Sequence, residues 1–262
     1  MTDPAAATPL TLLGSVREIG DGELQEIYGY PDAPQRVWVR ANFITSLDGG
    51  ASVDGTTGAL GGPGDRALFN LLRTLADVIV VGAGTVLAES YGGARLSAGE
   101  RRHRQARGQS EVPQLAIVTG SGRLDHDLPV FTHTEVPPLV LTCAAAADAI
   151  RDRLSGLADV VDCSGDEAAR VDPSGLLAAL AARGLSRVLT EGGPTLLSAF
   201  VDDDLLDELC LTIAPCLVGG TGPRITSGPG QVLTRMRCAH ILTDESGYVY
   251  TRYVRSRPSA AR

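Results

Sequence analysis

DVIVVGAGTVLAES, residues 77–90, sets an unbroken apolar run, Val78 to Val81, directly against Gly82, Gly84 and Thr85, and then continues in helix-forming residues. An apolar run without alternation fits a strand covered on both faces, as in a parallel sheet flanked by helices. The chain is therefore expected to be α/β.

The neighbouring segments repeat the scheme. VWVRANFITSLDGG, residues 37–50, alternates with Val37, Val39, Ala41 and Phe43 on one side and ends in an acid and two glycines. PGDRALFNLLRTLA, residues 63–76, places Pro63 near a helix start and Leu68, Leu71, Leu72 and Leu75 at helical spacing. PQLAIVTGSGRL (113–124) predicts another strand, and PLVLTCAAAADAIRDRL (138–154) a strand and a helix. Residues 174–220 give helix, strand, helix and strand in succession, and right-handed crossovers make such units parallel. CAHILTDESGYVYTRYV (238–254) alternates around an Asp-Glu-Ser-Gly turn, a hairpin signature. A mainly parallel sheet thus ends in an antiparallel C-terminal hairpin, within one domain over residues 1–262 whose core spans 36–255 after an extension at 1–35.

Composition narrows the function. With 262 residues and 44% apolar content the chain can bury a full core. A net charge of −8 lacks the positive footprint needed to neutralise a phosphate backbone, so nucleic acid is not expected as a partner. The one basic run, RRHRQARGQ at 101–109, reads as a solvated loop. All 23 basic residues are arginine, which excludes a Schiff-base lysine and a Walker-type phosphate loop. No basic n-region precedes the first apolar residues and no long apolar run occurs, so the expected location is cytoplasmic, with no membrane partner. The five cysteines form no C-x-x-C pair and His103, His126, His133 and His240 have no ligand-like spacing, so no metal is expected.

In an open α/β sheet ligands bind outside the carboxyl ends of the strands. Four such ends here are rich in glycine and small hydroxyl residues: 46–50, 82–85, 119–123 and 191–195. Glycine permits close backbone approach, and the following helix offers unpaired N–H groups to an anion. GAGTVL is not the Rossmann fingerprint, because Leu87 stands where its third glycine would be.

NFITSLDG, VIVVGAGTVLAES and LTEGGPTLLSAF, followed by LTIAPCLVGG, together resemble the pyrimidine reductase family of riboflavin biosynthesis, over about Val37 to Val254. The resemblance implies a dihydrofolate-reductase-like three-layer fold, NADPH as cofactor, a small pyrimidine or pterin substrate and a homodimer. It places the cofactor along Ile44 and Ser46, over Gly82, Gly84 and Thr85, and past Glu89, with its 2′-phosphate near Thr119, Ser121 and Arg123. Gly193, Pro194, Thr195 and Leu196 would line the pyrophosphate or nicotinamide side, and Asp48, Arg73, Arg95 and Glu191 would serve the substrate. The zinc deaminase pattern that precedes the reductase in the typical bacterial member does not occur in this sequence, so reduction alone is expected.

The departures bear on substrate. Gly50 stands where the family shows a basic residue, and Ala59 where it shows tryptophan. Asp65 enters the first helix near the position where dihydrofolate reductases, which this fold resembles, keep a carboxylate that binds the pterin and assists protonation. A carboxylate there also stabilises a helix N-terminus. The expected activity is NADPH-dependent reduction of a C=N-type substrate, the ribosylaminouracil phosphate, with Asp65 as proton donor and Asp48, which as the family matches it more often fixes the strand end, as the alternative acid. Dihydrofolate reduction is the alternative, and a non-catalytic NADP-binding protein is the alternative of another class.

Overall fold

The computed structural model describes residues 17–31 and 36–256. The strands are β1 (Trp38–Thr45), β2 (Val78–Gly82), β3 (Gln114–Val118), β4 (Leu139–Thr142), β5 (Asp159–Asp162), β6 (Arg187–Thr190), β7 (Glu208–Ile213), β8 (Met236–Thr243) and β9 (Val249–Arg255). The helices are α1 (Asp21–Ile27), α2 (Pro63–Leu75), α3 (Ala83–Ala88), α4 (Ala98–Ala106), α5 (Pro129–Thr132), α6 (Ala144–Arg153), α7 (Pro173–Ala181) and α8 (Pro194–Asp202).

One sheet takes every strand, in the order β5-β4-β3-β2-β6-β1-β7-β9-β8. Strands β5 through β7 pair in parallel, and β9 runs antiparallel to both β7 and β8. The parallel sheet with a C-terminal hairpin is thus as the sequence periodicity predicts.

The unbroken apolar strands are covered on both sides. Ile79 and Val81 of β2 and Leu115 and Ile117 of β3 pack with Leu68, Leu72 and Leu75 of α2 and Val86 of α3. Their alternates Val78, Val80 and Ala116 pack with Leu176 and Leu180 of α7 and Leu197 and Phe200 of α8. Each fully buried leucine of these faces contributes about 1.5–3 kcal/mol.

Two readings change. The basic run lies in α4 and its C-terminal turn, not in a solvated loop. Ser97 and Glu100 form a capping box at the start of this helix, and Arg104 is fully buried, donating to the carbonyls of Thr74, Ala76 and Ser110. The residues read as an extension include α1, whose end is tied down by Arg252 Nη1 donating to the Ile27 carbonyl at 2.7 Å. Residues 1–16 and 32–35, also within that extension, lie outside the described part.

Arg40, Glu208 and Arg252 form a buried ionic cluster on β1, β7 and β9. Arg40 Nε lies 2.6 Å and Arg252 Nε 2.7 Å from Glu208 Oε1, and Trp38 Nε1 donates to Oε2 at 3.0 Å. No helix among the described residues is long and apolar enough to cross a membrane.

Candidate active site

The parallel strands bring the carboxyl ends of β1, β2 and β6 side by side, because β6 lies between the other two. A cavity of about 630 Å³ opens there, lined by β1, α2, the segments after β2 and β6, and Pro223 of the glycine-rich 219–230 loop.

Its floor is a contact between two glycine turns. Gly82 N–H donates to the Gly192 carbonyl at 2.7 Å, and a Cβ on Gly82 would lie 3.3 Å from the Gly193 nitrogen. Gly192 has φ +111°, the left-handed region that favours glycine, and the Gly192–Gly193 peptide is cis. Neither α3 nor α8 has a side-chain cap on its N-terminus. Gly84 and Thr85 line the cavity, and nothing lies within 4 Å of where a Gly84 side chain would begin. This uncapped, side-chain-free backbone fits a dinucleotide's phosphates, which need N–H donors and close approach.

The polar centre is Glu191, the first residue after β6. Its amide donates to the Val80 carbonyl, which fixes its entry. Arg73, in the last turn of α2, donates from Nε to Oε1 at 2.7 Å and from Nη2 to Oε2 at 2.6 Å, and the Tyr91 hydroxyl donates to Oε2 at 2.6 Å. Burial opposes the charge on Arg73, but the adjacent Glu191 carboxylate more than offsets it and raises the guanidinium pKa. Burial, reinforced by Glu191, raises the Tyr91 phenol well above its ordinary value. Two residues assigned separately to substrate thus meet each other. Tyr91 joins the site with no local sequence signal to mark it, because its partner Glu191 lies a hundred residues later.

Asp65 stands in the first turn of α2 and lines the same cavity. Burial raises its carboxyl pKa, while the Thr212 hydroxyl and the Arg66 guanidinium partly oppose the shift. A carboxyl whose pKa is raised beside a substrate cavity is suited to hold a proton for transfer.

The remaining expected residues divide. Ile44, Glu89, Gly193 and Pro194 line the cavity, and Glu89 accepts the Thr57 amide at 2.7 Å. Thr195 and Leu196 lie in α8, outside the lining. Ser46 and Asp48 also lie outside it and shape a turn: the Ser46 hydroxyl accepts the Gly50 amide at 2.9 Å and donates to Asp48, which accepts the amides of Val218 and Gly219 at 3.1 and 2.7 Å. The Ser46 hydroxyl and then those amides hold the Asp48 pKa down to about 2. Asp48 therefore fastens loops around the site. Thr119 is buried and accepts the Gly122 amide, while Ser121 and Arg123 are exposed beyond β3, next to the end of β2. Arg95 lines a smaller cavity of about 320 Å³ that shares Arg73 as a wall.

Residues 37–250 match the family described as the RibD C-terminal domain. The chain belongs to the RibD C-terminal domain family. It is 29% identical over 195 residues to the 2,5-diamino-6-ribosylamino-4(3H)-pyrimidinone 5′-phosphate reductase of Archaeoglobus fulgidus, covering 74% of this chain and 87% of that protein. The reductase of the same name from Methanothermobacter thermautotrophicus is 30% identical over 196 residues, covering 74% and 86%. A solved pyrimidine reductase-like protein from Corynebacterium diphtheriae superposes with a TM-score of 0.75 at 29% identity, over 85% of this chain and 93% of that one. The RibD C-terminal domain match spans β1, β2 and β6, whose carboxyl ends border the cavity.

Proposed function

We propose that the chain is an NADPH-dependent reductase of a ribosylamino-pyrimidine 5′-phosphate. The observation that carries this is the placement of Glu191, Arg73 and Asp65 around one cavity whose floor is the uncapped glycine backbone. The names of the relatives supply the substrate class.

The cofactor, when bound, supplies a hydride to the carbon of a C=N bond. The chain supports it with the backbone of Gly82–Thr85 and Gly192–Pro194, and Ser121 and Arg123 stand at the strand end where a 2′-phosphate would need a hydroxyl and a cation. Arg73 and Tyr91 hold Glu191 with both its oxygens accepting, which orients it to receive N–H groups of a pyrimidine. Asp65 carries the proton that the nitrogen must gain, since a partly buried carboxyl with a raised pKa stays protonated to higher pH than an exposed one. The same reading takes the protein to be cytoplasmic and homodimeric.

Reduction of dihydrofolate is a second reading, favoured by the carboxyl of Asp65 at the cavity wall in the first turn of α2. Oxidation of NADPH with each substrate in parallel tests both. Turnover of the pyrimidine phosphate supports the first reading; turnover of dihydrofolate alone replaces it with the second; binding of NADPH without turnover of either leaves a cofactor-binding protein.

A further inference from the structure

Helix α2 starts after Gly62, which has no side chain to cap it, and its first turn carries Pro63, Gly64 and Asp65. A helix start leaves N–H groups without partners inside the helix, so it depends on what packs against it from outside. The β8–β9 hairpin supplies that packing. Tyr248 Oη donates to the Leu60 carbonyl at 3.0 Å, and Tyr250 Oη donates to Asp244 Oδ2 at 2.6 Å, while Asp244 Oδ1 accepts the amides of Ser246 and Tyr248 at 3.0 and 3.2 Å. The two tyrosine rings stack 13° from parallel with centres 6.3 Å apart, and Tyr250 is 6% exposed.

The fit between hairpin and helix depends on two glycines. A Cβ on Gly62 would lie 2.8 Å from the Tyr248 ring, and one on Gly64 would collide with Tyr250 Oη and stand 2.9 Å from Asp244 Oδ2. The glycines thus form a notch that the hairpin fills. Asp65 follows the notch and lines the main cavity, whereas Asp244, Tyr248 and Tyr250 do not, so the hairpin reaches the cavity through the first turn of α2. The charged and titratable groups at this turn are Arg66 beside Asp65, and Asp244, Tyr248 and Tyr250 on the hairpin. Burial first, then the bond to Asp244, raises the Tyr250 phenol above its ordinary value, which keeps it a hydrogen-bond donor at neutral pH.

We propose that Tyr250, braced by Asp244, is a positioning residue of the reductase: it seats the first turn of α2 so that the Asp65 carboxyl is held at the cavity wall. The inference rests on the reductase reading for the role of Asp65, but the seating itself is measured without turnover.

Carboxyl-carbon NMR of the full chain labelled at aspartate, with the Asp65 signal assigned by its loss in Asp65→Asn, follows that residue through a pH titration. Tyr250→Phe keeps the ring and removes the bond to Asp244. It is expected to move the Asp65 titration down toward the ordinary carboxylate range, because the burial that raises it depends on a seated turn. In the reductase assay its kcat should fall about tenfold or more, the scale on which a small misplacement of a reacting group acts, with KM for NADPH unchanged. Gly64→Ala should act in the same direction, although alanine ordinarily stabilises a helix, and combining it with Tyr250→Phe should cost less than the two losses added, since both break one contact. Tyr253→Phe, on the same strand, should leave both readouts unchanged. An unmoved Asp65 titration in Tyr250→Phe, or a loss of kcat without that movement, would overturn the proposal. A Tyr250-dependent Asp65 titration in a wild-type chain that reduces neither the pyrimidine phosphate nor dihydrofolate would instead overturn the reductase reading.

Discussion

Gly82 and Gly192 meet backbone to backbone, the amide of one donating to the carbonyl of the other at 2.7 Å. This joins the turn after β2 to the turn after β6 and explains why side chains are absent on both. The two turns form one platform, so their glycines have separable tasks: Gly82 and Gly192 permit the contact, whereas Gly84 has open space in front of it.

Gly84→Ala separates packing from binding. Alanine in place of a helical glycine should stabilise the fold by roughly 0.5–1 kcal/mol. The added methyl would also occupy cavity space, so NADPH affinity should fall while the thermal midpoint rises. A variant with unchanged affinity would remove α3 from the cofactor seat.

Asp65→Asn should lower turnover by about a hundredfold or more, the usual scale for a lost general acid. Burial raises the Asp65 pKa, so the folded state favours the neutral carboxyl. That contribution to stability is fully present below the ordinary carboxylate range and is lost as pH rises through the raised value. Asparagine stays neutral, so the variant should melt higher than wild type at neutral pH, with the gap closing in acid. Wild-type kcat should fall as pH rises through the same titration; a flat profile would remove Asp65 from proton transfer.

Glu208→Ala should destabilise the protein by about 3–5 kcal/mol in a denaturant titration, because it strips the fully buried Arg40 of its counter-charge. A loss below about 1 kcal/mol would show that Arg40 finds another partner or water.

Asp48 gives an opposite pH signature. Its pKa is depressed to about 2, so its stabilising contacts are present above the ordinary carboxylate range and are lost as pH falls through that value. Asp48→Ala should speed hydrogen exchange at the amides of Val218 and Gly219 at neutral pH. Unchanged exchange would mean that those amides are held by something else.

The strand–helix order was legible because apolar runs, helical spacing and glycine punctuation are local signals. The proximity of Gly82, Gly84, Glu191 and Asp65 to one cavity followed from parallel topology. What was not legible depends on partners distant in sequence. Arg104 sits in a basic run that locally favours solvent, yet its burial rests on carbonyls contributed by Thr74 and Ala76. Tyr91 acquires its task only because Glu191, a hundred residues later, folds against it. The pairing of Arg73 with Glu191 was hidden for the same reason, since each residue alone reads as a free charge for substrate. Short β5 escaped notice because Asp159 and Asp162 at its ends are exposed on the sheet edge.

The most direct measurement is steady-state oxidation of NADPH by the purified chain with 2,5-diamino-6-ribosylamino-4(3H)-pyrimidinone 5′-phosphate, with dihydrofolate in parallel. Turnover of the pyrimidine phosphate is expected, lowered by about a hundredfold or more in Asp65→Asn. No oxidation with the pyrimidine phosphate, under conditions where NADPH binds, would contradict it.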